Sequence, residues 1–178
     1  MVIRTFKGKT PVIGEGTFVA ETAAVIGDVR IGRQSSIWYG AVVRGDENSI
    51  DIGDRVSIQD CAVVHISHGE TGRVHVGNDV IVGHNATVHA CTVGDHCLIG
   101  MGSTVLDGAE IGEGSIIAAQ SLVLGRTKVG PYEMWAGVPA KFVKKISPEL
   151  VAKMIDRGVQ LYVELADIYS SEGQTLIP

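Results

Sequence analysis

A valine or isoleucine returns at every sixth position along most of this chain, and few folds accommodate that spacing. From Ile13 the series runs through Val19, Val25, Ile31, Ile37 and Val43, then resumes with Ile52, Ile58 and Val64. It continues as Val76, Val82 and Val88, and then as Val93, Ile99, Val105, Ile111, Ile117, Val123, Val129 and Trp135, with no break from Val93 onward. β-Branched side chains favour extended backbone and pack well on a pleated surface. A six-residue unit with one inward aliphatic is therefore a short strand plus a turn. Three units close a triangular coil, and stacked coils pair their strands in parallel. An antiparallel β-sandwich, whose strands alternate with period two, would leave the spacing unexplained. The expected fold is all-β, a parallel β-helix.

Taken in threes, the coils start at Ile13, Ile31, Ile52, Val76, Val93, Ile111 and Val129. Each start is followed by a glycine: Gly14, Gly32, Gly53, Gly77, Gly94, Gly112 and Gly130. Such a column implies a tight corner or a close backbone approach. Periodicity leaves the handedness of the coil open. Only nine residues are aromatic (three Phe, four Tyr, two Trp), which suits a thin core of similar aliphatic side chains. Beyond the repeat, Ser147-Pro148-Glu149 combines a cap, a first-turn proline and an early acid. Leu150, Met154, Leu161, Leu165 and Ile168 follow at helical spacing and predict a helix near 148–170 lying along the β-helix. Gly158 weakens its middle, and fraying is expected from Ser170 to Pro178. One domain is expected, with 1–146 as the β-helix and 147–178 as its helix and tail.

A formal charge of −5 argues against a nucleic-acid partner, and no apolar run is long enough to span a membrane. The first 14 residues lack a signal-peptide core. Cys61, Cys91 and Cys97 are an odd set without a disulfide framework and read as small core residues. Together these features point to the cytoplasm.

The repeat breaks where polar residues gather. Val43 to Ile52 carries Arg44-Gly45-Asp46-Glu47; Val64 to Val76 carries His65, His68 and His75; Val88 to Val93 carries His89. Val64 and Val88 start the third side of adjacent coils, so His65 and His89 share a column, facing outward, one strand spacing of about 4.8 Å apart. Two imidazoles so placed can converge on one ion. Arg44 belongs directly below His65. His84 follows Val82 on the second side and looks round a corner, away from the pair in its own chain. A threefold assembly would bring His84 of one subunit to the His65–His89 pair of its neighbour. Three histidines with coordination left open form the catalytic rather than the closed structural metal pattern. His68, His75 and His96 read as exposed loop residues without a role.

At these residues the sequence resembles the gamma-class carbonic anhydrase family of hexapeptide-repeat proteins, over nearly the whole chain. The matching stretches are Val43-Arg44-Gly45-Asp46, Gln59 through His65, Gly83 through His89, Ile99-Gly100-Met101-Gly102 and Gly137-Val138-Pro139-Ala140-Lys141. The resemblance implies a left-handed coil and a homotrimer with metal held at each subunit interface by His65, His89 and the neighbour's His84. It also implies that Gln59 hydrogen-bonds near the reacting water and that Arg44 and Asp60 form an ion pair across the interface. The chain departs from the best-studied branch in its short loop Ile66 through Arg73, whose one acid is Glu70, and in Ser57 where that branch has asparagine. The implied activity is reversible hydration of carbon dioxide to bicarbonate. Zinc, which supplies hydroxide near neutral pH, is the expected metal, and imidazoles also suit iron or cobalt. Glu47, Glu70 or water alone would carry the released proton. Two other classes fit a hexapeptide β-helix: an acyltransferase or thioesterase acting on a coenzyme A ester, and a metal-stabilised assembly protein without catalysis.

Overall fold

Residues 1–69 and 71–172 are described by a computed structural model. Short parallel strands stack into three walls. On the first wall the register aligns Ile13, Ile31, Ile52, Val76, Val93, Ile111 and Val129. The second aligns Val19, Ile37, Ile58, Val82, Ile99, Ile117 and Trp135. The third aligns Val25, Val43, Val64, Val88, Val105 and Val123. Residues six apart stand on successive walls, and every third member of the series is a vertical neighbour. Val25, Ile37, Val43, Ile58, Val64 and their successors as far as Ile117 and Val123 are fully buried along the axis, and each stabilises the fold by about 1.5–3 kcal/mol relative to exposure.

The glycine column follows from close approach. A Cβ on Gly14 would stand 2.5 Å from the carbonyl carbon of Gly32, and one on Gly32 would stand 2.5 Å from that of Gly53. Positive φ belongs to a different column at the next turn, where Gln34, Arg55, Asp79, His96 and Tyr132 adopt it. Beside the glycines runs a ladder of side-chain caps: Asp54 accepts from the Arg33 N–H at 2.7 Å, Asn78 from Asp54 at 2.9 Å and Asp95 from Asn78 at 2.7 Å.

Two strands, Ala24–Ile31 and Val42–Ile52, run unbroken from the third wall round to the first. Their pairing passes from Gly27↔Gly45 to Val29↔Ile50, so the longer strand pushes its extra residues outward at the corner. The next corner carries the longer insertion after His65. It is pinned by a Ser67 N–H donating to the Gly72 carbonyl at 2.9 Å and by Asn48 Nδ2 donating to the Gly69 carbonyl at 2.7 Å. Glu70, weighed above as a proton carrier, lies outside the described residues.

A helical segment starts as expected at Pro148, with the Ser147 hydroxyl accepting from the Leu150 N–H at 3.3 Å. It runs as Pro148–Val151, a π-turn over Ala152–Asp156, and Arg157–Glu172. Its inner face differs from the expectation. Val151, Ile155, Val159, Val163 and Ala166 are buried and Leu150 and Leu165 pack half-buried beside them, whereas Met154, Leu161 and Ile168 are exposed. The wall explains this, because Val151, Ile155 and Val159 pack against Ile81 and Ile116, where short branched side chains permit close approach. Gly158 serves the same contact, since a Cβ there would meet Ile81 Cδ1 at 2.8 Å. Further along, Trp38 packs edge-on to Tyr162 and Tyr169 at centroid distances of 5.7 and 5.3 Å. Residues 170–172 are helical where fraying was expected, and 173–178 lie outside the described residues.

Two elements carry no six-residue signal: Val2–Arg4, which pairs beneath the third wall, and Ala140–Lys145, which pairs antiparallel with Glu133–Gly137 and closes the far end. Cys91 and Cys97 are core residues, and burial pushes both thiols up to about 12. Cys61 is not in the core; it is exposed, at a positive-φ turn position. Among the described residues, no helix is long and apolar enough to cross a membrane.

Candidate metal centre

Strand Val63–His65 lies between Val42–Ile52 and Thr87–His89, with Arg44 opposite His65 and His65 opposite His89. Alternation turns Val43, Val64 and Val88 inward, so the three polar residues that follow them line one outer edge. His65 Nδ1 and His89 Nε2 face each other at 3.2 Å. Two nitrogens bound to one tetrahedral ion at roughly 2.0–2.1 Å stand about 3.3–3.4 Å apart. The pair therefore has the spacing of two ligands of one ion, and in the single chain the same separation serves a ring-to-ring hydrogen bond.

Each ring has a carboxylate on its other nitrogen. Asp46 Oδ1 lies 3.4 Å from His65 Nε2, and Asp107 Oδ1 lies 2.6 Å from His89 Nδ1. Metal-binding imidazoles are ordinarily oriented by such partners. Burial pushes the His65 ring below the usual histidine range, and the Arg44 charge adds to this against the pull of Asp46. Burial alone would raise Asp46, but the hydrogen bond and charge of Arg44 prevail and hold it below the usual carboxylate range. At Asp107 burial is likewise overcome, by hydrogen bonds from His89 and Ser67, and the carboxyl is held low. A neutral ring beside ionised carboxylates is the state in which imidazole binds metal.

His84 does not join the pair. It sits at the corner after the second wall, 40% exposed, with Nδ1 2.8 Å from Asp60 Oδ2. Gln59, buried beside it, accepts the His84 backbone N–H on Oε1 at 3.2 Å. A groove of about 350 Å³ opens there, lined in part by Gln59, His84, Met101 and Tyr162. Among the described residues, no three His, Cys, Asp or Glu side chains of one chain gather in an ion-holding group. Arg44 pairs with Asp46 within the chain, and Asp60 with His84. Glu47 stands at the rim, 3.3 Å from Lys7 Nζ and 3.7 Å from His68 Nδ1.

Asp107 and Tyr162 escaped the sequence reading, and Asp46 was read only as part of a motif, without its contact to His65. Asp107 follows His89 by 18 residues, one plain coil, so a search one coil along from each histidine would have found it. His96 also differs from its expected idleness: its Nδ1 lies 2.8 Å from Asp156 Oδ1 and ties the helical segment to the corner. His75 lies on the strand Val74–Val76 rather than in a loop.

Residues 90–125 match the bacterial transferase hexapeptide family (six repeats). A protein of Arabidopsis thaliana named gamma carbonic anhydrase 2, mitochondrial, is 43% identical over 169 residues, covering 93% of this chain and 60% of the relative. The chain thus spans less than two thirds of that relative's length. A carbonic anhydrase of Geobacillus kaustophilus is 41% identical over 173 residues, covering 97% of this chain and 93% of the relative. Among solved structures, a Bacillus cereus protein provisionally described as an acetyltransferase superposes with a TM-score of 0.92 at 40% identity, covering 97% of this chain and 98% of that one.

Proposed function

The chain belongs to the gamma-class carbonic anhydrase family of hexapeptide-repeat proteins, and we propose that it catalyses the reversible hydration of carbon dioxide to bicarbonate at a metal shared between subunits of a homotrimer. The observation that carries this reading is the His65–His89 pair, two imidazole nitrogens at 3.2 Å, each ring backed by a carboxylate. His65 and His89 of one protomer and His84 of the next hold the metal, which is zinc, iron or cobalt by its imidazole donors. Such an ion supplies hydroxide at neutral pH.

The chain's own residues prepare the site. Asp60 engages His84 Nδ1, which leaves Nε2 as the nitrogen for the metal. The second oxygen of Asp60 is then free to pair with Arg44 of the neighbour, and that ion pair sets the distance between subunits at the metal. Gln59 braces the His84 turn through Oε1, and its amide NH₂ orients the substrate or the departing bicarbonate. Glu47, beside His68 at the rim, passes the released proton to buffer.

The test is anaerobic purification followed by metal quantification and stopped-flow hydration. One ion per chain is expected, with hydration lost on chelation and restored by zinc. The Bacillus cereus relative's description favours a second reading, transfer of an acyl group from a coenzyme A ester. A chain without stoichiometric metal that turns over such an ester would replace the first reading with the second.

A further inference from the structure

We infer that Asp107 is a positioning residue for His89: by accepting the Nδ1–H of that imidazole it fixes the tautomer in which the Nε2 lone pair is directed at the metal position. The inference rests on the shared-metal reading above and adds a residue outside the ligand set. An ionised carboxylate accepts hydrogen bonds and cannot donate them. Its contact with Nδ1 at 2.6 Å therefore holds the ring's one proton on Nδ1, and Nε2 is left bare, facing His65 at 3.2 Å. Without Asp107 the ring could carry its proton on Nε2, which leaves its lone pair facing away from the metal position, or turn out of line with His65.

The backbone around Asp107 is built to keep it there. Val105 pairs with Val88, which puts the turn Leu106-Asp107-Gly108 directly over the turn after His89. Gly108 donates to the Ala90 carbonyl at 2.7 Å, and the Asp107 carbonyl accepts the Arg126 N–H at 2.9 Å, so the turn is fastened to the rungs on both sides. Among the described residues no lysine or arginine pairs with the Asp107 carboxylate; its hydrogen bonds come from the His89 ring and from Ser67. Asp46, by contrast, is divided between His65 and Arg44.

The experiment compares the full-length wild type with Asp107→Ala and Asp107→Asn by three readouts. Zinc affinity comes from chelator competition, the His89 tautomer in zinc-free protein from two-bond nitrogen–proton NMR correlations, and stability from chemical denaturation. Removing an orienting partner of a metal-bound histidine typically costs about 10- to 100-fold in metal affinity, and that loss is expected for Asp107→Ala. The same variant should lose the Nδ1–H preference of His89. Asparagine keeps an acceptor oxygen without the charge and should restore part of both. Lower stability with zinc affinity and tautomer unchanged would overturn the inference and leave the metal reading standing. A wild-type chain that takes up no metal would overturn both.

Discussion

A neutral imidazole has one lone pair to give a metal and one N–H to give the protein, and in the proposed cage the three histidines would divide their nitrogens in that way. The second nitrogen of His65 meets Asp46 at 3.4 Å, that of His84 meets Asp60 at 2.8 Å and that of His89 meets Asp107 at 2.6 Å. Three carboxylates thus stand behind three rings, two on one edge and one round a corner. His84 is the ring whose removal best separates site from fold. It is 40% exposed, so truncation removes little packing and should change stability by no more than about 0.5 kcal/mol. His84→Ala is expected to abolish metal retention while circular dichroism and the denaturation midpoint stay as in metal-free wild type; unchanged metal content would refute the proposed cage. The rings were legible in the sequence because a β-helix converts sequence separation into height, and His65 and His89 each follow an inward valine. Their carboxylates were not legible, because an aspartate in a turn carries the same local signal whether it faces solvent or a ring one rung away.

At the scale of elements, the walls were legible for the same reason, and the failures lie where the six-residue rule stops acting. After Trp135 the chain turns back as an antiparallel strand, and nothing in the spacing of Ala140–Lys145 announces it. The helix start was readable from Ser147 and Pro148. Its inner face was legible only in part: Leu150 and Leu165 pack against the wall, but its centre is taken by Val151, Ile155 and Val159, and Met154, Leu161 and Ile168 face out. The glycine column offers a direct test of the packing argument. Gly32 has negative φ but has Gly53 backbone atoms 2.5 Å from where a Cβ would stand, and backbone cannot give way as a side chain can. Gly32→Ala should cost about 1–3 kcal/mol or more through overpacking, read as a lower denaturation midpoint with an unchanged slope. A second test concerns the latch between helix and wall. Burial disfavours the charged form of His96, but Asp156 on the helix and Asp79 and Asp95 at the corner prevail, so it titrates above an ordinary histidine. A raised folded-state value adds stability that is complete below about pH 6.5 and is lost as pH rises through that value. Hydrogen exchange in Ala152–Asp156, referenced to the intrinsic rate at each pH, should therefore show protection that is highest below about pH 6.5 and falls as pH rises above it. In His96→Gln the protection should be low and flat across the same range.

For the whole molecule, the proposed site exists only between chains, since the ring-bearing edge of one protomer must meet the His84 corner of another. Closed threefold symmetry satisfies every such edge and corner at once, leaving none unmatched. Light scattering should accordingly give a mass three times that of the chain, and a stable monomer that still holds metal would contradict a shared site. Mixing variants makes the sharper test. A His65→Ala chain keeps a good corner and spoils its edge, whereas a His84→Ala chain does the reverse. Neither homotrimer should retain metal. In trimers reassembled from an equal mixture, a site works only where the edge comes from the His84→Ala chain and the corner from the His65→Ala chain. Random assortment under cyclic symmetry produces that pairing at about one site in four. Metal content near one quarter of wild type is therefore expected from the mixture, with hydration activity recovering in the same proportion. If all three ligands came from a single chain, every chain in the mixture would lack one of them and no metal would return.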